Sequence, residues 1–375
     1  MHKHRRWLIA GSTILAILLI ATGTVFYLTG GYEKWRDEQS LADACDGAIS
    51  KGDARSALGS KRVYTRPKGD LDFVFSNIDE GRIAKCVLKN RDSGETVVIQ
   101  VSRLPTESMD VTRQYVHQFL DEAGYGTVPI GGGWRGSMIF NRGSLRGAVE
   151  LACGNQKGKT LLVNFQTVYP SPDEPGLDSQ QRADDRAGFA RLLTSTASTA
   201  ADKYDCDASL GRPVDDVAPD PVRNPVPLDK AKGTCAPVAA LRDGAGRVGA
   251  VSVTDAPTDP TTPAEDCYLN DAQGTPLYRL TALYGPLADM ARAKSTDFDP
   301  TSKKAAEFQE KYHRGFGSAQ CGAQQGRAFY RLGTIHRGVG ERTVKNPDVE
   351  FERAALKAFA EQSAKTHGCD NLQLP

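Results

Sequence analysis

From Trp7 to Leu28 the chain carries no charged side chain, while beyond it the apolar positions fall into short alternating or helical patterns. Twenty-two residues at about 1.5 Å rise span roughly 33 Å as a helix, enough to cross a hydrocarbon core of about 30 Å. Lys3, Arg5 and Arg6 precede the run, and Glu33 to Glu38 after it mixes both signs. The positive-inside rule therefore places residues 1–6 in the cytoplasm and everything after about residue 32 outside. Trp7 at one end, and Tyr27, Tyr32 and Trp35 at the other, suit the two membrane interfaces. A cleaved signal peptide is the alternative. It needs a shorter apolar region and a small-x-small site, which Thr29-Gly30-Gly31 matches poorly. The expectation is an uncleaved single-pass anchor over 7–28.

Past the anchor, the pattern predicts a helix over Glu33–Leu58 with Gly59 as its stop. Val- and Ile-rich segments Arg82–Lys89 and Thr96–Leu104 flank Asn90–Gly94 and read as a hairpin. Val111, Tyr115, Val116, Phe119 and Leu120 have helical spacing, closed by Gly124. A second hairpin follows, Gly147–Cys153 and Thr160–Tyr169, then a loop at Pro170–Pro175 and a long helix, Gln180–Lys203. Five prolines between Asp207 and Gly233 exclude a helix or a central strand, so this stretch reads as an extended, solvated linker. Beyond a Pro-rich loop at Pro257–Pro263 the order repeats. Strands lie near Cys267 and at Leu277–Tyr284, a helix near Lys303–His313, a hairpin after Cys321 and a closing helix at Val349–Thr366.

The cysteines make the repeat explicit. Cys45, Cys86, Cys153 and Cys206 are separated by 41, 67 and 53 residues; Cys235, Cys267, Cys321 and Cys369 by 32, 54 and 48. Cys153-Gly-Asn-Gln-Lys-Gly158 answers to Cys321-Gly-Ala-Gln-Gln-Gly326, and Cys206 and Cys369 each follow a long helix and precede Asp. An internal duplication follows: module 1 over 33–206, a linker over 207–233 and module 2 over 234–375. Each is an α+β unit, an antiparallel sheet covered by helices. Eight thiols without a close CxxC pair read as disulfides in an oxidising compartment, not as zinc ligands. Four cysteines per module allow three pairings. A strand of about 30 Å, returned by a helix of about 36 Å, brings Cys206 back beside Cys153 and Cys369 beside Cys321. That leaves Cys45 for Cys86 and Cys235 for Cys267.

Each module resembles the four-cysteine domains of actinobacterial extracytoplasmic lipoproteins and of receptor-kinase sensor regions. The resemblance rests on Asp43-Ala-Cys45, the Ala57-Leu58-Gly59 stop and the two Cys-marked hairpins. Module 2 lacks the clean stop, and a membrane helix stands in place of the lipoprotein cysteine. The resemblance implies a location and a shape, not an activity.

Net charge is +1 and there is no basic stripe, which argues against nucleic acid as a partner. Gly154 to Thr160 imitates a phosphate loop but has three residues between its glycines and opens a strand instead of a helix. Gly131–Gly136 and Gly244–Gly249 fit G-x-G-x-x-G without the strand-then-helix context. His117, His313, His336 and His367 form no HExxH helix, and no G-x-S-x-G elbow or S-x-x-K is present. Asp184-Asp185 and Asp215-Asp216 read as a helix start and a solvated loop. Neither catalytic residues, metal ligands nor a cofactor are assigned from sequence. Trp134, in a glycine-rich loop, is the candidate exposed binding aromatic, the alternative being that it folds back on the sheet. The expected function is a membrane-anchored extracytoplasmic binding protein for an envelope protein, a wall polymer or a small ligand. The rival is an exported hydrolase with its site between the modules.

Overall fold

Asn90 shows how the first hairpin closes. Its side-chain carbonyl accepts from the amides of Asp92 (2.8 Å) and Ser93 (3.2 Å), and its side-chain NH2 donates to Leu58 O at 2.8 Å. One buried Asn thus makes the turn between β2 (Arg82–Asn90) and β3 (Thr96–Leu104) and ties it to a helix end. The computed structural model describes residues 20–22, 24–66, 81–104, 126–141, 144–156, 158–168, 183–295, 299–322, 326–337 and 341–375. The greater part of the 7–28 anchor, the helix expected at Val111–Ala123 with His117, and the Pro170–Pro175 loop lie outside these residues. No helix among the described residues is long and apolar enough to cross a membrane.

The remaining strands of module 1 are β1 (Val63–Thr65), β4 (Gly126–Pro129), β5 (Gly136–Asn141), β6 (Ser144–Ala152) and β7 (Thr160–Val168). They form an antiparallel sheet of order β1-β2-β3-β7-β6-β5-β4. Module 2 contributes β8 (Val226–Pro227), β9 (Ser252–Asp255), β10 (Ala264–Asn270), β11 (Pro276–Tyr284), β12 (Arg314–Gln320), β13 (Arg327–Thr334) and β16 (Asp370–Gln373). Their order is β16-β12-β13-β11-β10-β9-β8, with β14 (His336–Arg337) and β15 (Glu341–Arg342) a separate ribbon. Disulfides join Cys45 to Cys86, Cys153 to Cys206, Cys235 to Cys267 and Cys321 to Cys369, and no cysteine is free. Such bonds belong to an oxidising, exported environment.

The register supports the duplication independently. Setting Cys86 on Cys267 makes Ile99 equivalent to Leu280 across the first hairpin. The next strand then pairs Val163 with Tyr330, and the one after pairs Val149 with Gly317. Four residues further on, Cys153 falls on Cys321. The shared frame is β1-β2-β3-β7-β6 against β9-β10-β11-β13-β12; β4, β5, β8 and β16 are additions at the edges.

The helices are α1 (Gly31–Ala42), α2 (Lys51–Ala57), α3 (Ala183–Lys203), α4 (Arg242–Arg247), α5 (Pro286–Ser295), α6 (Lys303–Tyr312) and α7 (Val349–Thr366). The long helices α3 and α7 cover one face of each sheet. A Cβ on Gly147 would lie 3.1 Å from Leu193, and one on Gly315 would lie 2.9 Å from Leu356. These glycines occupy equivalent positions, so both modules bring the helix against the strand at the same point. The single helix expected over Glu33–Leu58 is instead broken. Cys45, Asp46 and Gly47 all have positive φ, and Ser50 caps a fresh start by accepting from Asp53 N–H. The turn sends the Cys45 sulfur inward to Cys86. In module 2 the hairpin straddles Cys321, with β12 before it, instead of following it.

Alternate residues of the strands face the other way. Ala148 and Leu162 of module 1 meet Leu283, Phe316 and Phe329 of module 2 in one apolar cluster, with α5 in the same seam. Thr127 Oγ1 donates to Asp266 Oδ2 at 2.7 Å, and Ser137 and Thr262 share a hydrogen bond of 2.9 Å. Arg279 closes both Asp266 oxygens from its own sheet, at 2.8 and 2.9 Å.

The stretch after Cys206 is extended, as its prolines require, but it is not a solvated spacer. Val214 and Val217 are buried in the module 1 core. Arg212 N–H donates to Gly132 O at 2.7 Å, and buried Arg186 donates to Val217 O at 2.9 Å. Its first half, through Val217, is a strap bound along module 1, and from Val226 it joins the module 2 sheet as β8.

Candidate functional site

α7 opens with Asp348, whose carboxylate accepts from the amides of Phe351 (3.1 Å) and Glu350 (3.0 Å) and from Arg247 (2.9 Å); the Phe351 bond first, then Arg247, hold it below its ordinary range. The first turn then presents Glu352 to the sheet. Its side chain is 0% exposed, accepts from Tyr278 OH at 3.1 Å and lies 3.0 Å from His313 Nδ1. Burial raises the carboxyl to about 7, against the opposing Tyr278 bond. The same burial pushes the Tyr278 hydroxyl well up. His313 follows α6 with φ 55°, and its ring is 13% exposed. Burial and then Arg342 hold it below its ordinary value. His336, beside Thr334, is lowered by burial, Arg314 and Arg342. Burial thus disfavours charge on both Glu352 and His313, and the contact between them is a hydrogen bond. The imidazole is the partly exposed member of the pair.

A second set lies under the other end of α7. Tyr284 OH and Ser363 Oγ are 2.5 Å apart, and Ser363 Oγ donates to Glu265 Oε2 at 2.5 Å. With its one proton given to Glu265, Ser363 accepts from Tyr284. His367 stacks on Tyr284 with ring centroids 3.7 Å apart, and its Nε2 lies 3.3 Å from Glu265 Oε1. Burial drives the Tyr284 hydroxyl well above its ordinary value. Serine, histidine and carboxylate meet here, but the serine proton points to the carboxylate and all three are buried. A nucleophile so placed reaches no substrate.

Both sets belong to module 2 alone. Counting through the strand register, and back from Cys206 and Cys369 on the helices, His313, Glu352 and Tyr278 match Leu145, Phe189 and Val97. Those three are buried in the module 1 core. In the second set Glu265 and Ser363 match Ala84 and Ala200, while Tyr284 and His367 match Arg103 and Tyr204.

Trp134 is not an exposed binding aromatic. It is 5% exposed, its Nε1 donates to Arg212 O at 2.8 Å, and a Cβ on Gly211 would sit 2.4 Å from its ring. The strap supplies the packing surface that the glycine loop lacks. Gly154–Thr160 is the β6–β7 turn, where Asn155 donates to Asp205 O at 2.9 Å and so fastens the end of α3. Gly131–Gly136 is a turn, while Gly244–Gly249 begins inside the short helix α4. The cysteines are placed as described above. Among the described residues no group of three or more His, Cys, Asp or Glu could hold a metal ion. Surface hollows of about 260 and 160 Å³ flank α7, and neither is lined by Glu352 or His313.

Sequence reasoning passed over Glu352, Ser363 and Tyr278. One signal was present: Glu352, Leu356, Phe359, Ser363 and His367 follow helical spacing, so polar residues interrupt the apolar stripe of α7. No family model, curated protein or solved structure matches the chain.

Proposed function

We propose that this chain is an exported interaction protein, anchored by residues 7–28 in the cell membrane, in which module 1 is the mount and module 2 the unit that engages a ligand. The supporting observation is the asymmetry between copies: ionisable groups stand in module 2 where module 1 keeps Leu145, Phe189 and Val97. A duplicated pair that shares one covalent frame while only one copy sets a buried carboxyl against a histidine under its long helix is a pair with divided roles. The resemblance to extracytoplasmic four-cysteine domains agrees with that placement. The ligand is an envelope protein, a wall polymer or a small molecule. Photoreactive residues at Tyr312 and Arg353 of module 2, and at Asp92 of module 1, test the division in intact membranes. Discrete adducts from the module 2 positions alone are expected; adducts from Asp92 alone would reject the assignment of roles.

One observation favours a second reading, an exported acid–base enzyme: a carboxyl near 7 beside a partly exposed histidine is chemistry suited to proton transfer. Its site would be in module 2. The seam between modules, as far as described residues form it, is filled by side chains. Turnover of ester, peptide or glycoside substrates that Glu352→Gln abolishes without unfolding would select this reading.

A further inference from the structure

α1 presents two unlike faces. On the inner one, Glu33 pairs with Arg62 at 3.1 Å, and Asp37 accepts twice from Arg91, at 3.0 and 2.5 Å. Ser40 accepts two hydrogen bonds from Thr65, Glu38 pairs with Arg55, and Leu41 is fully buried. Arg91 also lies over the Tyr64 ring, 4.4 Å from its centroid. α1 is therefore welded to module 1. On the outer face Tyr32, Trp35, Arg36 and Gln39 form an i, i+3, i+4, i+7 stripe, and all four are exposed. Tyr32 is 42% and Trp35 53% exposed. Tyr27, Tyr32 and Trp35 form a chain of rings with centroids 6.0 Å apart. Left-handed Gly30 ends the preceding helix, and α1 starts anew at Gly31, so the chain turns there.

We propose that α1 lies along the membrane–water interface with Tyr32, Trp35, Arg36 and Gln39 among the lipid headgroups. This rests on the reading of residues 7–28 as a membrane span. Its exposed end, Val25, Phe26 and Leu28, runs directly into the turn. Tyr32 follows Leu28 by four residues, about 6 Å along a helix, and the headgroup layer is about 5–8 Å deep. Even a straight continuation leaves Tyr32 within it, and the bend at Gly30 allows the rest of the stripe to stay there. The stripe has the chemistry of that layer: amphipathic rings that keep a polar edge wet, a guanidinium for phosphate and an amide for ester carbonyls. Because the inner face is ion-paired to module 1, that module rests on the bilayer through α1 and does not swing from a loose tether.

The test uses the full chain with Trp7→Phe, reconstituted in phosphatidylcholine–phosphatidylglycerol vesicles, which leaves Trp35 and the buried Trp134. Lipids carrying a nitroxide on the headgroup should quench most of the accessible emission, and aqueous iodide little of it. Adding Trp35→Phe should remove that quenching. Strong iodide quenching of Trp35 without nitroxide quenching, in a chain that still resists alkaline carbonate extraction, would overturn the proposal and leave the anchor standing. Protection of Trp35 from both quenchers would also overturn it, in favour of a protein partner or second copy on the stripe. Release by carbonate would reject the anchor reading itself.

Discussion

Replacing Glu352 by Gln removes the charge that burial resists while retaining an acceptor for Tyr278 and His313. The carboxyl stands at about 7 in the folded chain against an ordinary 4.5. A raised carboxyl binds its proton more tightly when folded, so its stabilising effect is complete below about pH 4.5 and is lost as pH rises through about 7. At roughly 1.4 kcal/mol per pH unit, the interval corresponds to about 3 kcal/mol of module 2 stability. That is a large share of the 5–15 kcal/mol of an ordinary domain. His313 acts in the opposite sense. Its lowered value favours the neutral ring, giving stability present above about 6.5 and lost as pH falls. Both proteins carry His313, so its effect largely cancels in their difference. Urea unfolding read by pulse proteolysis of the module 2 fragment, from pH 5 to 8, gives the two curves. Glu352→Gln should be the more stable protein at pH 8, by a margin that shrinks towards pH 5. Parallel curves would refute a buried, near-neutral carboxyl at this position.

Trp134→Phe should free the strap at a cost of about 1–3 kcal/mol, since Arg212 O loses its buried donor. Hydrogen exchange at the Arg212 amide, protected in the parent by its bond to Gly132 O, should then speed up; an unchanged rate would count against the strap. Asp266→Ala leaves Arg279 without its carboxylate and Thr127 without its acceptor, with an expected loss of about 3–5 kcal/mol. Hydrogen exchange should rise on both sides of the seam, and a rise confined to β10 would argue that the modules are not coupled there. Removing Cys321 and Cys369 together should cost about 2–4 kcal/mol in module 2 alone. In non-reducing peptide maps, a peptide linking Cys153 to Cys321 would contradict the two-module architecture.

Strand and helix positions with strong local signals were legible. β3 and α7 have the limits their patterns gave, and the cysteine spacing carried the duplication. β12 was hidden because Arg314–Gln320 holds two glycines, a composition unlike a strand. Its glycines answer tertiary demands: a Cβ on Gly317 would lie 2.5 Å from Leu374. The break at Cys45 carried a signal that was passed over, the Asp46-Gly47 turn pair followed by the Ser50 cap. The proton-bearing sets depend on register across distant strands, Tyr278 reaching Glu352 over 74 residues and Ser363 reaching Glu265 over 98. Trp134 depended on a strap 78 residues away. No window along the chain contains such contacts.

The two copies also show how polar groups can be held in so small a core. A buried carboxyl costs several kcal/mol unless it is hydrogen-bonded or neutralised. Module 2 does both, giving Glu352 two partners and a value near 7, and giving Glu265 the Ser363 hydroxyl. The residual cost is of the size that two disulfides offset at about 2–4 kcal/mol each. Module 1 has the same two disulfides and keeps Leu145, Phe189 and Val97 where module 2 holds the Glu352 set, so it does not carry that cost. Where one copy must remain rigid, fastened to α1 and the strap, and the other must change with its surroundings, that is the distribution of stability physical chemistry would favour. The lower stability then belongs to α7, the helix whose buried face carries Glu352, Ser363 and His367 together.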